Sequence, residues 1–340
     1  MANVLVTGAT GFIASHCVLA LIDHGHTVRG TARSAERAGH LSRTLSAYSG
    51  RPIEVPIAVA DLEHDDGWAE AVAGMDYVLH VASPLPANLP KDPDELIVPA
   101  REGALRVLKA SKAAGVKRVV LTSSVAAISY GWGHDRPELL TEAHWSDPDN
   151  LADNTAYTRS KTIAERAAWD FMAGEGAGME MTAVNPAAVL GPVMSGDFSA
   201  SLELVTQLLG GRLPALPKMG FQIVDVRDVA QAHLLAMEHP DAAGERFILA
   251  DDFMWFSELA DLLRENFPEY ARKIPRGSLP SWLVRLMAPF NPPVKQILPE
   301  LGKRRLASSR KAREMLGWSP RSAKQAAIAG ANSLVAQGVV

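Results

Sequence analysis

Tyr157 and Lys161 form the residue pair in this sequence that is best suited to acid–base chemistry. They lie four residues apart in an Ala/Glu/Arg-rich segment that is predicted to be helical to about residue 173, so both side chains share one helix face. A lysine ammonium beside the phenol would lower the tyrosine pKa from its ordinary value of about 10, which makes the hydroxyl a better proton donor to a carbonyl. An ordinary surface pair on a helix is the alternative interpretation.

Two adjacent serines, Ser123 and Ser124, lie at the end of the segment 117–123, which is predicted to be a strand. A hydroxyl at this strand end could hold a carbonyl oxygen by a hydrogen bond and stabilise the charge that develops on it. We assign this role to Ser124. Together with Tyr157 and Lys161 it would form a catalytic set for carbonyl chemistry.

A turn that contains two glycines, TGATG over 7–11, joins the apolar strand 4–6 to an apolar-periodic helix. Gly8 can adopt the positive φ of a sharp turn, Gly11 has no Cβ to keep a ligand off the backbone, and Ala14 allows the helix to pack closely on its strand. The N–H groups at a helix N-terminus attract phosphate, although an ordinary strand-to-helix turn is the alternative. The predicted pyrophosphate contacts are Gly8, Thr10, Gly11, Phe12 and Ile13.

Strands alternate with helices along the chain, which predicts right-handed βαβ units and an α/β fold with a doubly wound parallel sheet. Ligands of such sheets bind at the carboxyl ends of the strands. The later part of the chain is expected to form a smaller lobe. After the first strand, the predicted strands cover 26–32, 52–60, 75–81, 117–123, 179–184 and 244–250, and the helices after the first cover 94–115, 157–173, 201–209, 224–238 and 257–266, with Ser257 as the N-cap of the last.

Arginines, and no carboxylate, follow the second predicted strand. A carboxylate at this position would select NAD by accepting a hydrogen bond from the 2′-hydroxyl of the ribose. Arg33 stands at the strand end and Arg37 one helical turn later, and a guanidinium can hold a phosphate by two parallel hydrogen bonds. This pattern predicts NADP(H), unless both arginines are only surface charges.

Other strand ends offer contacts to the remaining parts of a dinucleotide. Asp61 closes the third strand and is placed to meet the adenine edge, while Ala82 and Ser83 follow the fourth strand and would run along the nicotinamide half. Each could instead be a plain loop residue. The segment NPAAVLGP over 185–192 would form a rigid wall behind the nicotinamide ring, because proline restricts the backbone.

The composition is that of an ordinary globular protein. The 340 residues carry a formal net charge of −4 and no long basic run, so nucleic acid is not expected as a partner. The sequence offers no long apolar run and no signal-peptide pattern, and we expect a cytoplasmic protein without a membrane span. The single cysteine, Cys17, fits a reducing compartment and lies among apolar helix positions, so it is expected to be a packing residue.

The motifs together closely resemble the extended short-chain dehydrogenase/reductase family. The resemblance rests on TGATGFIASH, the Ser124, Tyr157 and Lys161 set, NPAAVLGP, VDVRDVAQAH and KAREMLGWSP. The segments HVASP and RGTARS are similar to the branch that contains dihydroflavonol-4-reductases, cinnamoyl-CoA reductases and carbonyl reductases. The segment VAAISYG after Ser124 differs from the AGTV of plant flavonoid reductases and weakens a dihydroflavonol assignment.

This resemblance implies a Rossmann-like NADP-binding domain over 1–190, to which 223–250 return, and a substrate-binding lobe over 191–222 and 251–340. It implies that Tyr157 is the acid/base, that Lys161 binds the nicotinamide ribose and lowers the tyrosine pKa, and that Ser124, chosen over Ser123 by its register, polarises the carbonyl. The implied cofactor-binding residues are Gly8, Thr10, Gly11, Phe12, Ile13, Arg33, Arg37, Asp61, Leu62, Val81, Ala82, Ser83, Tyr157, Lys161, Pro186 and Val189.

The function expected from this set is NADPH-dependent reduction of an aldehyde or ketone, without a metal. Two alternatives are a nucleotide-sugar epimerase or dehydratase that retains NAD, and a non-catalytic redox-sensing binder. The expected substrate is a hydrophobic or aromatic carbonyl, because the candidate pocket walls are mostly apolar. These walls are Pro84, Leu85, Met194, Phe198 and Phe221. The family resemblance implies a monomer or a homodimer.

Overall fold

The computed structural model describes residues 1–84, 92–195 and 200–340. The strands are β1 (Asn3–Val6), β2 (Thr27–Ala32), β3 (Ile57–Val59), β4 (Tyr77–His80), β5 (Arg118–Thr122), β6 (Glu180–Pro186), β7 (Ala188–Leu190), β8 (Leu216–Pro217), β9 (Gly220–Asp225), β10 (Arg246–Leu249), β11 (Phe253–Trp255) and β12 (Ser278–Leu279). The α-helices are α1 (Phe12–Asp23), α2 (Ala35–Ser49), α3 (Trp68–Val72), α4 (Asp94–Ala113), α5 (Ala156–Ala173), α6 (Ala200–Leu209), α7 (Val226–Glu238), α8 (Phe256–Asn266), α9 (Ser281–Met287), α10 (Pro292–Gln296), α11 (Arg310–Leu316) and α12 (Ala323–Ala336).

Seven parallel strands form the main sheet in the order β10-β6-β5-β4-β1-β2-β3. The chain therefore builds outward from β1 in one direction through β2 and β3, and in the other through β4, β5, β6 and β10. The order reverses between β1 and β4, and ligands of doubly wound sheets bind at the carboxyl ends of the strands at this point. The α/β fold class predicted from the sequence is confirmed.

The pleat of the strands directs alternate side chains of β1 to two different cores. Val4 and Val6 belong to a buried apolar cluster that includes residues of α1, α6, α7, α8 and α12, whereas Leu5 packs with residues of α3, α4 and α5. The first cluster is shared by the main sheet and the C-terminal helices, so burial of apolar surface ties this lobe to the sheet.

Long-range pairing decides several elements that local pattern did not predict. The segment 220–225 is the strand β9, which pairs with β7 and with β11 in a second, three-stranded sheet. The predicted third strand over 52–60 is only three residues long. The predicted N-cap Ser257 is wrong, because α8 begins at Phe256 after Trp255, whose backbone N–H donates to the Glu258 carboxylate at 2.8 Å.

Cys17 is fully buried in α1, and burial raises the pKa of its thiol. The predicted packing role of this residue is confirmed. Within the described part of the chain, none of the helices combines the length and apolarity that a membrane crossing needs.

Three buried histidines should make the protein lose stability in mild acid. Burial lowers the pKa to about 4 for His16, about 3 for His80 and about 4 for His233. As the pH falls below about 6.5, the unfolded chain takes up protons on these rings and the folded chain does not. We expect the unfolding free energy to fall by roughly 1.5 kcal/mol per histidine between about pH 6.5 and pH 5.

Denaturant unfolding at a series of pH values measures this slope. His233→Gln removes one titrating ring, and the slope of the variant should be shallower by the contribution of one histidine. The stability difference between variant and parent should be constant above about pH 7.5, where the ring is neutral in both states. An identical slope for the two proteins would contradict the assignment.

Candidate active site

The turn between β1 and α1 leaves an open backbone cradle. Gly8 has a φ of +60°, and a Cβ on this residue would lie only 2.9 Å from the Ala82 Cβ. Gly11 precedes α1 as its N-cap, and among the described residues no side chain caps this helix end. Backbone N–H groups and the positive end of the α1 dipole are therefore directed at the predicted phosphate position.

Thr7 joins this turn to the end of β4. Its hydroxyl accepts a hydrogen bond from the Ala82 N–H at 3.0 Å and lies 2.9 Å from Nδ1 of His80. His80 is buried, and its lowered pKa keeps the ring neutral at physiological pH. The hydrogen bonds bring two strand ends together at the point where the strand order reverses. The segment HVASP indicates the family, but nothing in the sequence predicts this positioning role for its histidine.

A groove beside the turn contains one of the two predicted arginines. Thr10 from the turn, Arg37 and His40 from α2, and Ser195 are among its lining residues. Arg33 is exposed at the end of β2, just before Ser34, which caps α2. The structure therefore places positive charge from α2 next to the phosphate cradle, as expected for an anionic ligand.

Asp61 and Leu62 lie at the end of the third strand segment, as predicted, but both also have structural contacts. The Asp61 carboxylate accepts from the Glu63 N–H at 3.0 Å, and its carbonyl accepts from the Trp68 indole at 2.9 Å. Leu62 packs against α4, where a Cβ on Gly103 would lie 2.9 Å from the Leu62 Cβ. These contacts hold the loop, and a role toward adenine stays a prediction.

The two adjacent serines take different partners. Backbone alternation turns their side chains apart, since Ser123 still pairs with β6 through its N–H and Ser124 has extended backbone. The Ser123 hydroxyl donates to the buried carboxylate of Glu165. The Ser124 hydroxyl acts on the Tyr157 phenol and favours a lower pKa for it. Ser124 is thus the serine that faces the predicted acid/base residue.

Tyr157 and Lys161 project from the first two turns of α5. The helix starts there because Thr155 and Thr158 exchange capping hydrogen bonds at 3.3 and 2.9 Å. Lys161 Nζ lies 5.9 Å from the centre of the tyrosine ring, so the i, i+4 pair occupies one helix face as predicted.

The pKa of Tyr157 does not behave as expected from the sequence. Burial raises it above the ordinary tyrosine value, and the Ser124 hydroxyl opposes this rise. Desolvation dominates this pKa and the ammonium stands nearly 6 Å from the ring, so the lowering of the tyrosine pKa by Lys161 stays a prediction. Burial also lowers the pKa of Lys161 to about 8, and the negative charge of Glu165 opposes that change.

A small cavity adjoins the candidate catalytic side chains. It brings Lys161 together with His80, Ala82 and Ser83 from the end of β4 and with Thr122 and Ser123 from β5. The residues predicted for the nicotinamide half and the predicted ribose-binding lysine therefore line one space. Val81, between His80 and Ala82, is partly buried against the main core.

Pro186 and Val189 are both buried on neighbouring strands. Pro186 ends β6 beside Leu249 of β10, and Val189 pairs with Val224 of β9. The predicted wall 185–192 therefore contains the end of β6 and the whole of β7, which belong to different sheets. Of the predicted pocket residues, Pro84, Met194 and Phe221 are partly buried, whereas Leu85 and Phe198 lie outside the described residues.

Sequence reasoning missed a buried ion pair behind the serines. Glu165 accepts from Arg246 Nε at 2.6 Å and from the Asn185 amide at 2.7 Å. Glu165 is four residues after Lys161, so the spacing that identified Tyr157 and Lys161 could have found it. Arg246 lies 81 residues further along the chain, and no spacing pattern in the sequence points to it.

A second missed cluster links the loop after Ser124 to the C-terminal lobe. The negative charge of Glu300 acts on the buried Tyr130 phenol and raises its pKa. The Arg305 guanidinium lies 4.2 Å from the Tyr130 ring centre and donates to Asp153 at 2.6 Å. Burial raises the pKa of Tyr130, and a charge on Tyr157 would raise it further, which places the two phenols in one electrostatic environment.

Comparison with known proteins identifies the family of this chain. The family model described as "NAD dependent epimerase/dehydratase family" matches residues 4–250. The chain is 38% identical over 272 residues to cinnamoyl-CoA reductase 1 of Arabidopsis thaliana, which covers 79% of this chain and 76% of that protein. It is 34% identical over 292 residues to the putative NADPH-dependent methylglyoxal reductase GRP2 of Candida albicans, which covers 81% and 86%.

A solved structure agrees with these sequence relatives over the whole chain. The yeast methylglyoxal/isovaleraldehyde reductase Gre2, solved in complex with NADPH, superposes with a TM-score of 0.80 and 29% identity, covering 99% of this chain and 100% of that one. Both the fold and the reductase branch predicted from the motifs are confirmed. The chain therefore belongs to the NAD dependent epimerase/dehydratase family, as an extended short-chain dehydrogenase/reductase of the cinnamoyl-CoA reductase and carbonyl reductase type.

Proposed function

We propose that this protein is an NADPH-dependent reductase of aldehyde or ketone carbonyls, with Tyr157 as the proton donor. One observation carries the proposal. Ser124 faces the Tyr157 phenol beside Lys161, at the carboxyl ends of the strands and next to the glycine turn. The reductases among the relatives support the same reaction.

The residues around the glycine turn fit the phosphate groups of a dinucleotide such as NADPH. The cradle at Gly8 is too narrow for a side chain, the end of α1 has no side-chain cap among the described residues, and Arg37 lines the adjoining groove. Arg33 and Arg37 would hold the 2′-phosphate, Ala82, Ser83, Pro186 and Val189 the nicotinamide side, and Lys161 its ribose. When bound, NADPH supplies a hydride for the carbonyl carbon.

The side chains of this chain account for the proton and for the carbonyl oxygen. Ser124 donates a hydrogen bond to that oxygen and holds it next to the Tyr157 phenol. The raised pKa of Tyr157 keeps the phenol protonated before reaction, so the proton is available at Oη when negative charge develops on the oxygen. The Lys161 ammonium then stabilises the phenolate that remains, because it lies on the same helix face.

The substrate proposed is an apolar or aromatic carbonyl compound. Pro84, Met194 and Phe221 are partly buried, and Phe221 packs on Phe256 with ring centres 5.9 Å apart. Apolar and aromatic walls favour such a ligand over a nucleotide sugar. The proposal also includes a cofactor-binding domain over 1–190 to which residues 223–250 return. It further includes a cytoplasmic location and a monomer or homodimer. The position of β10 in the main sheet supports the return of that segment.

The decisive assay follows the absorbance of NADPH and of NADH during incubation with aromatic aldehydes, α-keto esters and dihydroflavonols. We expect oxidation of NADPH with at least one apolar carbonyl. A nucleotide-sugar epimerase or dehydratase that retains NAD is the second candidate because the family includes such enzymes. Conversion of a UDP- or dTDP-sugar without reduction of any carbonyl would overturn the reductase proposal.

Arg33→Ala and Arg37→Ala are each expected to weaken NADPH binding by about 10- to 150-fold. A hydrogen bond to a charged phosphate contributes about 1.5–3 kcal/mol, and NADH lacks the 2′-phosphate. Dissociation constants for both cofactors, measured by fluorescence titration, test this selectivity. Arg43→Ala, on the same helix and exposed, is the matched control. Equal losses for NADPH and NADH would remove the 2′-phosphate role.

A further inference from the structure

The carboxylate of Glu165 is buried behind the catalytic residues and surrounded by hydrogen-bond donors. Only 1% of the residue is exposed. Arg246 Nε donates to one oxygen at 2.6 Å, and the Trp169 indole donates to the same oxygen at 3.3 Å. Ser123 and the Asn185 amide donate to the other oxygen. Among the described residues four donors face this group, and such hydrogen bonds are strongest to a charged carboxylate.

These contacts reach the serine that faces Tyr157. Asn185 donates one hydrogen bond to Glu165 and another to the backbone carbonyl of Ser124 at 3.1 Å. Ser123, directly before it, is held by its own hydroxyl. The Ser123 side chain and, through Asn185, the Ser124 backbone carbonyl are therefore both anchored to the Glu165 carboxylate.

Glu165 also stands one helical turn beyond Lys161 and lines the same small cavity. The other titratable groups near the lysine are Tyr157 on α5 and His80 on β4, and the described α4 residues that line the cavity are alanines. His80 is neutral above about pH 4, since its pKa lies near 3. Glu165 thus supplies the negative charge in the cavity, and Arg246 partly neutralises it from the opposite side.

We propose that Glu165 is a positioning residue that aligns Ser124 through Ser123 and Asn185 and holds the charge of the Lys161 ammonium. This inference rests on the proposed reductase function. Burial alone lowers the pKa of Lys161, and the charge of Glu165 opposes that effect, so the enzyme keeps a protonated lysine near neutral pH.

The experiment is a set of pH profiles of kcat/KM for carbonyl reduction, whose alkaline limb reports Lys161 in the free enzyme. In Glu165→Gln the limb should move to lower pH by about one unit, because the carboxylate charge is lost. In Arg246→Met the limb should move to higher pH, because Glu165 is no longer neutralised. The double variant Glu165→Gln/Arg246→Met leaves no buried charge unpaired, and its limb should lie between those of the two single variants.

Ser123→Ala is the matched control, since it removes a hydrogen bond from Glu165 and leaves the charge. Its alkaline limb should stay at the parent position. A limb that stays at the parent position in Glu165→Gln, or limbs that move in the same direction for Glu165→Gln and Arg246→Met, would overturn the proposal. If Glu165→Gln does not fold, the limb of the double variant must still lie at lower pH than that of Arg246→Met, and the opposite order would overturn the proposal. A parent enzyme that reduces no carbonyl would instead refute the proposed function.

Discussion

Tyr157→Phe should lower kcat for carbonyl reduction by about 10²- to 10⁴-fold, the range that a positioned general acid contributes. The substitution removes the phenolic proton that faces Ser124, and it leaves the ring and the helix capping of α5 in place. The affinity for NADPH should stay within about threefold, because the phosphate cradle and Arg37 are untouched. Steady-state kinetics and a cofactor titration measure the two quantities separately.

Tyr77→Phe is the control for this experiment. Tyr77 begins β4, at the opposite end of that strand from His80 and the cavity. Removing the Tyr77 hydroxyl should leave kcat for carbonyl reduction unchanged. Turnover of Tyr157→Phe near that of Tyr77→Phe would refute the assignment of the proton donor.

Ser124→Ala should lower kcat by about 10²- to 10³-fold, as expected when one donor to a developing oxyanion is removed. Ser123→Ala should affect the fold more than the reaction, because this hydroxyl bonds the buried Glu165 and not Tyr157. We expect it to cost about 1.5–3 kcal/mol of unfolding free energy, the contribution of a hydrogen bond to a charged group. Its kcat should fall less than tenfold.

Measuring kcat and the free energy of unfolding for Ser123→Ala and Ser124→Ala distinguishes the roles of the two adjacent hydroxyls. Ser124 also caps the short turn that follows it by accepting from the Ala126 N–H at 3.1 Å, so some loss of stability is expected for Ser124→Ala as well. A larger fall in kcat for Ser123→Ala than for Ser124→Ala would exchange the roles of the two serines.

Much of the cofactor site could be predicted from local sequence. The strand, turn and helix over 3–23 follow from apolar periodicity and two glycines, and the pair Tyr157 and Lys161 follows from helical spacing. These features involve residues close in the chain, whose geometry is set by backbone sterics and hydrogen bonding. The alternation of strands and helices was likewise sufficient for the parallel sheet.

The tertiary structure decided the electrostatics of the site. Glu165 meets Arg246 from a distant strand, and Tyr130 meets Glu300 and Arg305 from the C-terminal lobe. No local pattern encodes such pairs, because each depends on where separate elements pack. The rise of the Tyr157 pKa has the same origin, since desolvation depends on everything that covers the phenol.

The sequence by itself determined which residue types could do the chemistry and at which strand ends they stand. Only the tertiary structure decided which of the two serines faces the tyrosine, because adjacent extended residues point apart and the packing of α5 selects one of them. It also decided that β9 is a strand, since its partners β7 and β11 lie on either side of it in the chain and only folding brings the three together.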